Sequence, residues 1–248
     1  MLSQHGHTEA GGHRKKFGDF FFPQHSRHII IPYGHPELNF SETPAAILDP
    51  SRSRPVLATV NFGSQPNSGS TRSLVLQGLQ ELKAQGMKVT WRHLTKIDRK
   101  PDKMRDILME LYNSTFCPCP RGNSDDTRRT FSALLAGCIP IIFSDWLMMP
   151  FESFISWDSI AYFVPEEEAK DFISSLSRIP ESEIALKRSN INCIRQHFVY
   201  HRNGTKPGDA VDTIVAALSS RGSIARDFQR WFTQTAQRRT GERSPGGC

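Results

Sequence analysis

From residue 55 onward, short apolar runs alternate with longer stretches of helical periodicity, and this alternation limits the fold more than any other feature of the sequence. Pro55–Phe62 is a compact apolar run and reads as a buried strand. Ser70–Gln85 follows with Leu74, Leu76, Leu79 and Leu82 at roughly helical spacing, and Gly86 ends it. Met87–His93 reads as the next strand. Asp102–Tyr112 reads as a helix whose buried stripe is Met104, Ile107, Leu108, Leu111 and Tyr112. Ser114–Cys119, Ile139–Phe143 and Ile160–Val164 read as further strands. Helices are predicted at Thr127–Ala136, Glu166–Arg178, Glu181–Phe198 and Gly208–Ser220. Strands separated by helices form a parallel sheet covered on both faces, so the predicted class is α/β. Ligands in such folds bind beyond the carboxyl ends of the strands, close to helix N-termini.

The remainder of the chain is less regular. His28–Ile31 reads as a short strand stopped by Pro32, and residues 34–54, rich in Pro, Ser and His, read as a connecting segment. Residues 1–16 are polar and rich in His and Gly, and are expected to be disordered or the ragged end of something longer. They carry no secretory signal, and no apolar run approaches the roughly 18–20 residues that span a bilayer. The net charge of +6 is concentrated at the C-terminus, where residues 221–248 hold six Arg against Asp227 and Glu242. This segment reads as a solvated, partly disordered basic tail. Its charges are not interleaved with stacking aromatics, so nucleic acid is not an expected partner. The five Cys (117, 119, 138, 193 and 248) form no CxxC pair or zinc-spaced cluster, and their pairing stays open. No metal site is expected. Sequons at Asn39, Asn113 and Asn203 add only faint support for a secretory location.

Three loops could carry chemistry. The first runs from Gly63 and Ser64 to Arg72 and joins a buried strand to a helix. Glycine permits close backbone approach, and a helix start offers unpaired N–H groups and a partial positive charge. Arg72 stands in the first turn, where a cation opposes the helix dipole. Either it is a solvated surface charge, or an anion such as a diphosphate compensates it. No G-K-[ST] ends this loop, so it is not a P-loop, and it is not a GxGxxG turn. The second loop holds Arg121 and Gly122 after the strand Phe116–Pro120, and leads to a helix that Asp126 or Thr127 could cap. Arg128 and Arg129 open that helix, either as partners for Asp125 and Asp126 or as anion ligands. The third contains Asp145, just past an apolar strand, as a ligand-facing carboxylate or a turn residue.

Taken together these segments resemble the exostosin family, glycosyltransferase family 47. The family strand F-C-L-C-P-x-G appears as Phe116–Gly122, and R-x-F-[DE]-A as Arg129–Ala133. G-C-I-P-V-I appears as Gly137–Ile142, the S-D step as Ser144–Asp145, and P-F-E as Pro150–Glu152. Upstream, Arg54–Phe62 with Gly69 and Arg72 is similar to the unit R-x-L-L-x-F-x-G…G-x-x-R, and His28–Tyr33 to the strand D-V-V-I-P-P.

The resemblance implies the C-terminal, Rossmann-like half of a GT-B enzyme, in which two such domains face each other across a cleft. It implies inverting transfer from a nucleotide-diphosphate sugar, usually UDP-linked, to a glycan or cell-wall polysaccharide acceptor. No cofactor is required, and no divalent cation is indicated. A base takes the acceptor's proton while helix starts, Arg72 and Arg129 stabilise the departing diphosphate. The donor-binding residues implied are Gly63, Ser64, Arg72, Arg121, Gly122, Arg129, Ser132 and Asp145, and no catalytic base is assigned. Ser132 departs from the family, which has an acid there. The boundaries expected are residues 1–16 as a disordered segment and 17–54 as a remnant of an acceptor domain with its linker. Residues 55–220 form the nucleotide-sugar domain and 221–248 the tail. On this reading the chain is a truncated or degenerate form, a membrane anchor belongs to a full-length form, and the setting is the Golgi lumen. A related glycosyltransferase is an expected hetero-oligomer partner.

Overall fold

The computed structural model describes residues 30–34, 40, 43–63, 69–94, 101–121, 127–144 and 147–220. In chain order the elements are helix α1 (Ala45–Leu48), strand β1 (Val56–Gly63), α2 (Gly69–Ala84), β2 (Val89–Leu94), α3 (Pro101–Tyr112) and β3 (Ser114–Pro120). There follow α4 (Arg128–Leu135), β4 (Ile139–Phe143), β5 (Tyr162–Val164), α5 (Ala169–Ser174), α6 (Glu181–Ile194) and α7 (Ala210–Ser220). The five strands form one sheet in the order β2-β1-β3-β4-β5. All neighbouring strands run parallel. The predicted α/β, Rossmann-like arrangement is therefore present.

Strand order decides where a ligand can sit. From β1 the chain steps outward to β2, then returns across β1 to β3 and continues in that direction to β5. Right-handed crossovers place the connections before and after this reversal on opposite faces. The carboxyl ends of β1 and β3 then diverge into a crevice, the switch point at which ligands of open α/β sheets bind.

The core is continuous across the sheet. Ala58, Val60 and Phe62 alternate along β1, and β4 is buried throughout, as the apolar runs require. The burial of α2 corrects one expectation. Val75, Leu79 and Leu82 are fully buried, whereas Leu74 and Leu76 are only partly so, because the stripe follows i, i+4, i+7 from residue 75. In α3 the expected stripe holds, with Ile107, Leu111 and Tyr112 buried and Met104 and Leu108 packed at its margin.

Other boundaries move for local reasons. Glu166–Arg178 is not one helix but a 3-10 turn, the six-residue α5 and a second 3-10 turn. Glu181–Phe198 divides into α6 and a closing 3-10 turn. The last helix starts at Ala210, after Gly208 at positive φ. Helix α1 lies inside the segment read as a connection, and its single buried residue, Leu48, explains why no periodicity reveals it. Ile30 and Ile31 form no strand, while the first half of that predicted strand, the 1–16 segment and the basic tail lie outside the described residues. Among the described residues no helix is long and apolar enough to cross a membrane.

One contact sets how closely α2 and α5 approach. A Cβ on Gly78 would lie 2.7 Å from both the Lys170 carbonyl oxygen and the Ile173 Cβ. The backbone oxygen cannot give way as a flexible side chain would. Gly78→Ala is therefore expected to force the helices apart and cost about 2 kcal/mol or more, despite Ala's better helix propensity. Equilibrium urea unfolding checks this, and a stability equal to or above that of the parent contradicts it.

Candidate functional site

The site is assembled at the carboxyl edge of the sheet by arginine side chains that reach back to strand-end carbonyls. Arg129, in the first turn of α4, donates from Nε to the Asn61 carbonyl at 2.5 Å and from Nη1 to the Pro120 carbonyl at 3.0 Å. Asn61 is near the end of β1, and Pro120 ends β3. One guanidinium therefore bridges the two strands that flank the switch point. Burial pulls its pKa down to about 10, with Cys119 acting in the opposite direction and Arg72 lowering it further. It remains protonated at neutral pH.

Arg72 reaches the same place from the other side. It is buried in the first turn of α2, and its Nε donates to the Arg121 carbonyl at 3.3 Å. Its guanidinium carbon stands 5.4 Å from the centre of the Phe62 ring. Burial lowers its pKa. The two arginines are thus close enough to influence each other, at one edge, each fixed by a carbonyl at the end of β1 or β3. This removes the solvated-surface reading of Arg72. Two cations held together disfavour one another, and an anion between or beside them relieves the repulsion.

Arg121 contributes a backbone carbonyl to Arg72 and a side chain that lies 3.4 Å from the Glu166 carboxylate. Gly63 ends β1 beside Leu94 of β2, at the same edge. Ser132 is buried in the second turn of α4, where its hydroxyl donates to the Arg128 carbonyl at 3.3 Å. Ser64, Gly122 and Asp145 lie outside the described residues, as do Asp125 and Asp126, the partners considered for Arg128. Thr127 occupies the N-cap position of α4 but makes no side-chain capping bond.

Two features of the site had no signal in the sequence. Cys117 and Cys138 form a disulfide between β3 and the approach to β4, while Cys119, two residues along β3, is a buried free thiol. Burial raises the Cys119 pKa to about 11, so it stays protonated beside Arg129. Glu166 comes from the turn after β5, and nothing in its local sequence marks it as part of this edge. The motif segment Pro150–Glu152 proves to be a turn: Phe151 adopts φ 61°, Glu152 accepts from the Met149 N–H at 2.7 Å, and the Pro150 carbonyl accepts from the Trp157 indole at 2.7 Å. Among the described residues no group of His, Cys, Asp and Glu is placed to hold a metal ion.

The exostosin GT47 domain model matches residues 16–179, which is more than half of the chain. The chain belongs to the exostosin GT47 family. Among curated relatives it is 28% identical over 132 residues to the rice (Oryza sativa subsp. japonica) protein named "Probable glucuronosyltransferase GUT1", covering 52% of this chain and 31% of the relative. It is 29% identical over 124 residues to the Arabidopsis thaliana "Probable beta-1,4-xylosyltransferase IRX10", covering 49% and 30%. It is 30% identical over 112 residues to the Physcomitrium patens "Probable glucuronosyltransferase 47 A", covering 44% and 25%. The matched stretch thus spans less than a third of these relatives' own lengths. The arginine-bridged β1/β3 edge coincides with the switch point, where open α/β sheets bind their ligands.

Proposed function

We propose that this exostosin domain binds a nucleotide-diphosphate sugar with a uridine base, and that its reaction is inverting transfer of that sugar to a glycan or cell-wall polysaccharide acceptor. The observation that carries this reading is the Arg129 guanidinium bridging the ends of β1 and β3 with Arg72 beside it. In the transfer, a base removes the acceptor's hydroxyl proton as its oxygen attacks the anomeric carbon. The bond from that carbon to the diphosphate breaks, and negative charge grows on the leaving oxygen. Arginines already fixed to backbone carbonyls meet that charge without reorganising. No residue of this chain is assigned as the base. The names of the relatives support xylosyl or glucuronosyl transfer. The Cys117–Cys138 disulfide supports an oxidising compartment such as the Golgi lumen. Calorimetric titration with UDP tests the reading, which predicts saturable binding that weakens with salt. A folded chain that binds no nucleoside diphosphate defeats it.

A second reading, in which the domain is a non-catalytic partner of a related glycosyltransferase, draws on Ser132. The family has a carboxylate at this position, whereas the Ser132 hydroxyl bonds back to Arg128 within its own helix. An acid facing the crevice is a stronger acceptor for ribose hydroxyls than a serine committed to the backbone. Ser132→Glu is expected to tighten UDP binding about fivefold to tenfold. Unchanged or weaker affinity in the folded variant means that this position does not contact the nucleoside.

A further inference from the structure

A carboxylate also reaches the arginine cluster, and it comes from a turn that lies outside every family segment read from the sequence. Glu166 follows Pro165 at the end of β5. Its Oε2 accepts from the Thr71 hydroxyl at 2.6 Å, and its Oε1 lies 3.4 Å from Arg121 Nη1. Thr71 is fully buried in the first turn of α2, one residue before Arg72. The carboxylate therefore links three separate places: the first turn of α2, the residue just past β3 and the turn after β5.

We propose that Glu166 is a positioning residue of the donor site, holding the Arg121 guanidinium in place for the diphosphate. This rests on the donor-binding reading above and adds a residue to it. The bond from a buried hydroxyl anchors the carboxylate, so it does not swing away when a ligand arrives. Arg121 is the more exposed partner, with its side chain 38% exposed against 21% for Glu166. A long, exposed arginine loses rotamer freedom when it clamps an anion, and a tether formed beforehand removes part of that loss. The carboxylate contact engages one side of a fork that carries five N–H donors. Glu166 also stands near the start of α2, where a negative charge is favoured, so it holds this place without a ligand present.

The test is a double-mutant cycle in UDP affinity, measured by calorimetry on the full chain, with uridine as the phosphate-free probe. Glu166→Ala is expected to weaken UDP binding about fivefold and leave uridine binding unchanged. In the Arg121→Ala background the same change is expected to have no further effect, because Glu166 acts through Arg121. Should Glu166→Ala fail to fold, the cycle is run with Glu166→Gln, whose amide oxygen still accepts from Thr71. Additive losses, equal losses for uridine and UDP, unmoved UDP affinity, or tighter UDP binding by Glu166→Gln each overturn the role. The unaltered chain separates the two failures: if it binds no UDP, the donor reading falls and takes this role with it. If it binds and Glu166→Ala matches it, only the role of Glu166 falls.

Discussion

Arg129→Ala is expected to lower UDP affinity by about 100-fold or more, and Arg129→Lys to recover little of it. The side chain is fixed by two bonds, to the Asn61 and Pro120 carbonyls, on opposite sides of the switch point. Its removal has two consequences. A half-buried positive charge disappears from the place where a diphosphate would bind, a loss of about 1.5–3 kcal/mol for each charge-assisted bond to phosphate. The two strand ends also lose the donor they share, so the crevice they form is no longer held at one width. Lysine restores a charge but is a point donor on a flexible stem, and it cannot meet two carbonyls and a phosphate with the planar fork that arginine offers. Calorimetric titration of both variants checks this, with circular dichroism to establish that each is folded. A folded Arg129→Ala protein that binds UDP as the parent does refutes the assignment.

Arg54→Met is expected to cost on the order of 4 kcal/mol of stability, the largest effect foreseen for a residue remote from the site. Arg54 is buried at the opposite edge of the sheet. It donates from Nη1 to the Leu111 and Ser114 carbonyls at 3.3 and 2.8 Å, and from Nη2 to the Ala136 carbonyl at 3.0 Å. Leu111 lies in the last turn of α3, and Ala136 is the C-cap of α4. The arginine thus ties the carboxyl ends of two helices to the start of β3, and the negative ends of both helices favour its charge. The opposing terms are also visible. Burial, then Arg188 and Arg52, push its pKa down to about 9, and its Nε is buried without a partner. Methionine would remove that desolvation cost but would leave three carbonyls without their donor, at roughly 1–3 kcal/mol each if they stay dry. The carbonyl losses outweigh the relief. Urea denaturation of the variant gives the value, and a loss below about 1 kcal/mol would mean that water replaces the guanidinium.

The same region shows why Gly137 stands where the family pattern has it. It adopts φ +67°, and a Cβ there would meet Arg54 Nη2 at 2.9 Å. The turn donates from the Gly137 N–H to the Leu134 carbonyl and from the Cys138 N–H to the Ala133 carbonyl, which closes α4 and turns the chain into β4. Left-handed backbone and close approach of the guanidinium both exclude a side chain at this position.

The alternation of apolar strands and periodic helices was enough to determine the α/β class, the parallel sheet and the core faces of most elements, because burial of one face is recorded in period 2 or 3.6. Family motifs, carried by local spacing, marked Arg72, Arg129 and Ser132, while Arg121 stands at a variable position of its motif. The tertiary structure alone decided that Arg72 and Arg129 come to the same edge, because their contacts run to carbonyls 49 and 68 residues away, and backbone carbonyls look alike in every sequence. It alone paired Cys117 with Cys138 and left Cys119 free, since spacing cannot say which thiols a sheet brings within reach. Glu166 entered the site for the same reason: its partners are Thr71 in the first turn of α2 and Arg121 just past β3, and only strand order makes them neighbours of the turn after β5.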